Sequence, residues 1–250
     1  MVFYHDETLI YQNECRETKW GYNAQEAFSN IPNTKGCSWI LSDFMSRFGV
    51  VPGTRVFRKI HHNSVKLTWK CPEFIQQTRN FIHAATCCFP NRKIYLVFDN
   101  SPVHHKALPG TFVPSAISRY HQHRSAKPPE LSATYWLERA SVPKKDWPRN
   151  LQEFRQFCRS NPHLFDRFKK SFLKSVIDGY PNVEMTFLPK CHPDLNPIEK
   201  LWSHVKYSTS SSRYQSATVL ERRLDRVYQN IPGHKVSLWF KLAEERLHSS

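Results

Sequence analysis

The sequence predicts an α/β fold: a mixed sheet flanked by helices, with a mostly helical insertion before its last strand. Three observations lead there. Short runs of strand character crowd the amino-terminal part of the chain. The run Ile94-Tyr95-Leu96-Val97-Phe98 is continuously apolar, as a strand buried on both faces is. Val183-Glu184-Met185-Thr186-Phe187-Leu188 then leads through a proline-rich loop into a helix with apolar residues at Ile198, Leu201, Trp202 and Val205.

Taken in order, β-branched and aromatic residues give strand character to residues 2–6, 9–12, 19–22 and 37–44. Residues 47–69 are polar and basic, with Arg55, Arg58, Lys59, His61, His62 and Lys66, and read as loop and strand edge. Pro72 opens a helix that places Phe74, Ile75, Thr78, Phe81 and Ile82 on one face at spacings of 3 and 4, a stripe for packing on the sheet. Prolines 109, 114, 128, 129, 143 and 148 make the first half of 107–180 irregular, and 151–160 and 162–178 read as helices. The chain closes with two amphipathic helices within 217–248, separated by Asn230-Ile231-Pro232-Gly233. Their apolar positions are Val219, Leu220, Leu224, Val227, Leu238, Trp239, Leu242 and Leu247. The predicted organisation is one domain over 1–250, with a basic insertion at 107–180 and a helical cover at 213–250.

Hydrophobic residues at 40% of a 250-residue chain supply a substantial core and exclude disorder. The 36 basic side chains exceed the 21 acidic ones by 15, so a polyanionic partner is expected, and nucleic acid fits best. No apolar run approaches the ~20 residues that span a bilayer, and no secretory signal opens the sequence. Seven cysteines without a C-x-x-C pair suit free, mostly buried thiols. The histidines and cysteines around His61, His62, Cys71, His83, Cys87 and Cys88 lack zinc-ligand spacing.

Between 139 and 174, ten basic residues stand against three acidic ones. Trp136, Trp147, Phe154, Phe157, Phe165, Phe168 and Phe172 are interleaved with them at helical spacings that fit a core better than a base-stacking face. The basic face itself is a DNA track: Lys144, Lys145, Arg149, Arg155, Arg159, Lys169 and Lys170, with Lys206 further on.

Three acidic residues end strands or open helices. Asp6 follows Val2-Phe3-Tyr4-His5, Asp99 follows the apolar run 94–98, and Glu199 lies in the first turn after Asn196-Pro197. Glu199 has a competing local role, because Asn196 as N-cap, Pro197 at the first helical position and Glu199 three residues after the cap spell a capping box. Asp43 rivals Asp6, since it too ends an apolar run. Glu7 is a neighbour rather than a ligand, because adjacent strand residues face opposite sides.

His5-Asp6-Glu7-Thr8 with Arg16 and Trp20, Val97-Phe98-Asp99-Asn100-Ser101-Pro102-Val103-His104, and Leu188-Pro189 through Pro193-Asp194-Leu195-Asn196-Pro197-Ile198-Glu199-Lys200-Leu201-Trp202 resemble the motifs of the mariner-like superfamily of DDE transposases. The stretch from Lys35-Gly36-Cys37-Ser38 to Leu41-Ser42-Asp43-Phe44 is similar to a branch with a long spacing between the second Asp and the Glu. The resemblance implies an RNase H-like fold and a metal-dependent DNA endonuclease and strand transferase of the cut-and-paste kind. It assigns catalysis and metal binding to Asp6, Asp99 and Glu199, with two Mg²⁺ or Mn²⁺ ions, and accessory places to His104 and Asp194. His104 would orient a phosphate or a water, the alternative being an exposed loop histidine; Asp194 would hold its loop by local hydrogen bonds. In the implied chemistry a metal-activated water cuts DNA at an element end and the freed 3′-hydroxyl attacks target DNA.

The helix-turn-helix modules that precede such cores have no counterpart before Asp6, so a core without its DNA-reading module is expected. The alternative is a catalytically idle, transposase-derived DNA-binding or interaction protein. Transposon ends and target DNA are the implied partners, a homodimer follows by analogy, and a membrane is not expected. The implied location is the nucleus in a eukaryotic host and otherwise the cytoplasm with the nucleoid.

Overall fold

The computed structural model describes residues 1–12, 36–60, 71–118, 120, 129–209 and 217–248. The sequence-based assignments at Arg16, Trp20, 19–22, Lys35, His61, His62, Lys66 and 210–212 lie outside them. The described residues form two compact units, 1–103 with 177–250, and 104–176.

The first unit holds a six-stranded mixed sheet. Strands β1 (Val2–Tyr11), β2 (Ser38–Ser46), β3 (Gly49–Val50) and β4 (Val56–Ile60) pair antiparallel, with β3 and β4 both on β2. Strands β5 (Ile94–Phe98) and β6 (Val183–Phe187) extend the sheet beyond β1 in parallel. Antiparallel strands first and parallel crossovers later is the expected order. Two predicted strands at 2–6 and 9–12 are instead one: β2 partners β1 from Tyr4 to Tyr11, so nothing breaks the ladder between them. Asp6 therefore sits within a strand and not at its end.

Alternation along β1 serves two cores. One face sends Phe3 and His5 against Phe44 and Phe98, and against Phe74 and Phe81 of helix α1 (Cys71–Cys88). The other sends Tyr4 and Ile10 towards helices α6 (Ile198–Thr209), α7 (Ala217–Gln229) and α8 (Gly233–His248), over Trp202, Val205, Leu224 and Phe240. α8 buries Val236, Trp239, Phe240 and Ala243, while Leu238, Leu242 and Leu247 are exposed. Of the apolar positions predicted in α8 only Trp239 is covered, and only the surface opposite decides which face is.

In the 104–176 unit, helices α2 (Ala133–Arg139), α3 (Leu151–Ser160) and α4 (Pro162–Phe165) pack around Phe112, Trp136, Phe154 and Phe165, and α5 (Phe172–Ile177, entering the first unit at its last residue) follows them. Phe112 stacks on Phe165 at 4.7 Å and meets Trp136 edge-on at 5.1 Å. The aromatics interleaved with the basic residues are core, as expected. α3 matches its predicted span, α2 went unpredicted, and the predicted 162–178 helix is broken. A 3-10 turn at Asp166–Phe168 and a bridge from Ser171 to Ala107 interrupt it.

Of the six described cysteines, all free, Cys71 and Cys158 are buried but Cys87, Cys88 and Cys191 are exposed, against the expectation of mostly buried thiols. No described helix is long and apolar enough to cross a membrane.

Candidate active site

Sheet register brings the first two carboxylates level. Tyr4 pairs with Val97 across the parallel β1 and β5. Two residues further along each chain, just past the last paired residues, come Asp6 and Asp99, and both border one cavity. Asp99 follows the last residue of β5 and Asp6 continues inside β1, because β1 keeps its β2 partner after the parallel pairing stops.

Both Asp6 oxygens are held. The Glu7 backbone N–H donates to Oδ1 at 2.8 Å, and the Trp202 indole Nε1–H donates to Oδ2 at 3.1 Å. Trp202 lies one helical turn after Glu199 in α6, so this bond fastens β1 to the helix that carries the third carboxylate. The loop between β6 and α6 is pinned beside the end of β5: the Leu188 N–H donates to the Phe98 carbonyl at 2.8 Å, and the Asn100 side-chain amide donates to the Leu188 carbonyl. The Ser101 N–H reaches Asp99 Oδ1 at 3.3 Å.

The capping box at Asn196 does not form. The Glu199 N–H bonds the Asn196 backbone carbonyl at 3.1 Å, the buried Asn196 Oδ1 accepts nothing among the described residues, and the Glu199 carboxylate makes no described hydrogen bond or ion pair. Glu199 lines a cavity of about 540 Å³ together with Asp6 and Asp99, and Lys190, His192 and Asn196 also border it. Burial, then the negative charges of Glu199, Glu7 and Asp99, push the Asp6 carboxyl up to about 8, against the pull of the Glu7 N–H. Lys190, also at the border, makes no ion pair among the described residues.

Asp43 pairs directly with Asp6 across β1 and β2, yet borders no part of this cavity. It is fully buried, accepting from the Phe44 N–H at 2.8 Å and the Thr54 hydroxyl at 3.3 Å, and burial pushes it up to about 7. Glu7 faces the opposite side of the sheet. Asp194 is exposed in the turn before Asn196, with Oδ1 3.9 Å from His192 Nδ1. His104 is buried at the start of the 104–176 unit, so the exposed-loop alternative does not hold. Lys144, Lys145, Arg149, Arg155, Arg159, Lys169 and Lys170 are all exposed on that unit, and Lys206 is half-buried on α6. Trp202 was legible from sequence only as an apolar helix position. A buried tryptophan must also place its N–H, and the carboxylate is where it goes.

No match was found among curated proteins. Among solved structures, the chain is similar to a Mos1 transposase paired-end complex with the left transposon end, at 13% identity and a TM-score of 0.58 over 99% of this chain and 53% of that one. It is also similar to a Mos1 mariner paired-end complex with Mn, at 15% and 0.57 over 99% and 53%, and to the catalytic domain of Mos1 mariner transposase, at 11% and 0.53 over 99% and 78%. The chain thus spans about half the length of the first two. These likenesses establish an RNase H-like fold. A family described as DDE superfamily endonuclease matches residues 70–221, more than half of the chain, and the chain belongs to it.

Proposed function

We propose that this chain is the catalytic core of a cut-and-paste DNA transposase, a metal-dependent endonuclease and strand transferase whose reaction is carried by Asp6, Asp99 and Glu199. The observation that carries this reading is the convergence of those carboxylates on one cavity with Asp6 pushed up to about 8. Carboxylates crowded so that they resist joint ionisation are a hard oxygen donor set in want of positive charge, which fits Mg²⁺ or Mn²⁺. When bound, a pair of such ions supplies charge relief to the phosphodiester and its leaving oxygen. Similar Mos1 structures were solved with Mg and with Mn.

The chain's own residues do the positioning. Trp202 and the Glu7 N–H fix both oxygens of Asp6, and the Ser101 N–H steadies Asp99. Glu199, freed from capping, presents its carboxylate from the first turn of α6. Lys190 at the cavity's edge is suited to a substrate phosphate. The exposed basic residues of the 104–176 unit would hold DNA by phosphate contact, and the likeness to a Mos1 paired-end complex with a transposon end supports DNA as partner; a homodimer as the working form belongs to the proposal by analogy.

The test is plasmid cleavage with Mg²⁺ or Mn²⁺, paired with calorimetric metal titration of the wild type and Asp99→Ala. Metal-dependent nicking and loss of metal uptake in the variant are expected. Unchanged uptake in Asp99→Ala would refute the site, and DNA binding without cleavage would favour the idle descendant.

A further inference from the structure

The loop between β6 and α6 brings one more titratable side chain to the carboxylate cavity, and the proposed positioning does not use it. His192 borders the cavity two residues after Lys190. Its backbone is fixed from both sides. Upstream, the Leu188 N–H is bonded to the Phe98 carbonyl at 2.8 Å. Downstream, His192 leads into a 3-10 turn over Pro193–Leu195, where the proline ring sets φ and the Leu195 N–H donates to the His192 carbonyl at 3.3 Å. Leu195 and Asn196 are buried beneath that turn. An exposed imidazole is thus presented from an anchored loop.

Asp194 stands beside this ring. The local hydrogen bonds expected of its side chain are not among those described; its Oδ1 lies 3.9 Å from His192 Nδ1, too long for a hydrogen bond and within reach of an ion pair. The two ring nitrogens lie on different edges, so a ring whose Nδ1 faces Asp194 turns Nε2 away from it. The other charged groups bordering the cavity are Asp6 of β1, Asp99 after β5, Glu199 of α6 and Lys190 of the same loop.

Cutting a DNA phosphodiester expels a sugar 3′-oxygen, which departs poorly unless a proton reaches it as the bond breaks. The three carboxylates are wanted as anions, and an ammonium serves as a standing charge. Imidazole is the side-chain type that gives up and regains a proton near neutrality. We infer that His192 is the proton donor to the departing 3′-oxygen, with Asp194 as its positioning residue. As the oxygen of the attacking water bonds to phosphorus, the bond from phosphorus to the 3′-oxygen breaks. The electron pair leaves on that oxygen, which takes the proton from His192 Nε2. The attacking water releases a proton to solvent and the exposed His192 regains one from it, so no further reactant is needed. The inference rests on the strand cleavage proposed above and adds a named acid to it.

The test uses a pair of DNA substrates that differ at the scissile position, one with the natural 3′-oxygen and one with a 3′-sulfur, which departs without protonation. In Mn²⁺, His192→Gln should lower kcat on the oxygen substrate about 100-fold and cleave the sulfur substrate at the wild-type rate. Asp194→Asn should show a smaller loss with the same rescue. Calorimetric Mn²⁺ uptake, and DNA affinity by fluorescence anisotropy, should be unchanged in both variants. Equal loss on the two substrates, or loss on neither, overturns the inference. So does lost metal uptake, which would make His192 a ligand, or a raised KM at unchanged kcat, which would make it a phosphate contact. His192→Asn gives the same reading should His192→Gln melt early. A wild type that cleaves neither substrate brings down the proposed function and this inference with it, whereas the other outcomes sink the inference alone, so the two failures are distinct.

Discussion

Two helices of this protein begin with the same signature and use it differently. α3 opens Asn150-Leu151-Gln152-Glu153 and α6 opens Asn196-Pro197-Ile198-Glu199. At α3 both side chains cap: Asn150 Oδ1 accepts from the Glu153 N–H at 3.0 Å, and Glu153 reaches back to accept from the Arg149 N–H at 2.9 Å and from the Asn150 side-chain amide at 3.0 Å. At α6 neither side chain caps, Asn196 Oδ1 is left without a described partner, and Glu199 faces the carboxylate cavity. An unused cap is a local cost, about 1 kcal/mol where it can be compared. The difference teaches that identical local instructions diverge once one of the residues is wanted elsewhere.

The largest expected contrast is functional. Glu199→Gln should lower DNA cleavage by on the order of 10³-fold, measured on a supercoiled plasmid, without weakening DNA binding. Glu153→Gln should leave cleavage unchanged. Trp202→Phe keeps most of the packing but removes the donor to Asp6 Oδ2. It should raise the metal concentration needed for half-maximal cleavage by about 10–100-fold, and metal titration followed by tryptophan emission should lose the Trp202 component.

The pair Asp6 and Asp43 extends the comparison, since cross-strand partners again differ in what covers them. Burial raises Asp43 from 3.8 to about 7, so the folded state holds its proton more tightly than the unfolded chain does. Its burial cost is therefore absent in acid, grows as pH rises through that window and is complete above about 7. Asp43→Asn should be more stable than the wild type at neutral to alkaline pH by about 1–3 kcal/mol, and the gain should vanish towards pH 3.8 in urea melts. Smallest of all, Asn150→Ala should cost about 1 kcal/mol of stability, and Asn196→Ala markedly less, by the same melts.

Much of this was readable beforehand. The strand at Ile94–Phe98, the α3 boundaries and the loop from Leu188 to Trp202 declare themselves through unbroken apolar runs and turn residues that need no distant partner. What failed depended on distant partners. The continuity of β1 past Asp6 comes from β2, and the covered face of α8 is chosen by Tyr4 and its neighbours. Both Asp6 and Asp43 end apolar runs, and the family motif is what favours Asp6; Thr54 and the Phe44 N–H close over Asp43. The fate of Glu199 was equally undecidable locally, as α3 shows.

One property of the sheet bears on how such a chain can change length. β5 and β6 lie side by side in parallel from Ile94 with Val183 to Phe98 with Phe187. Parallel neighbours require a crossover whatever its size, and here the 104–176 unit fills it. Backbone ladders, and not the intervening residue count, dictate how near Asp99 comes to Glu199. The pairing of β5 with β6 is set by their ladder and not by the length of the crossover, so linear spacing between those two acids is a poor yardstick of their separation.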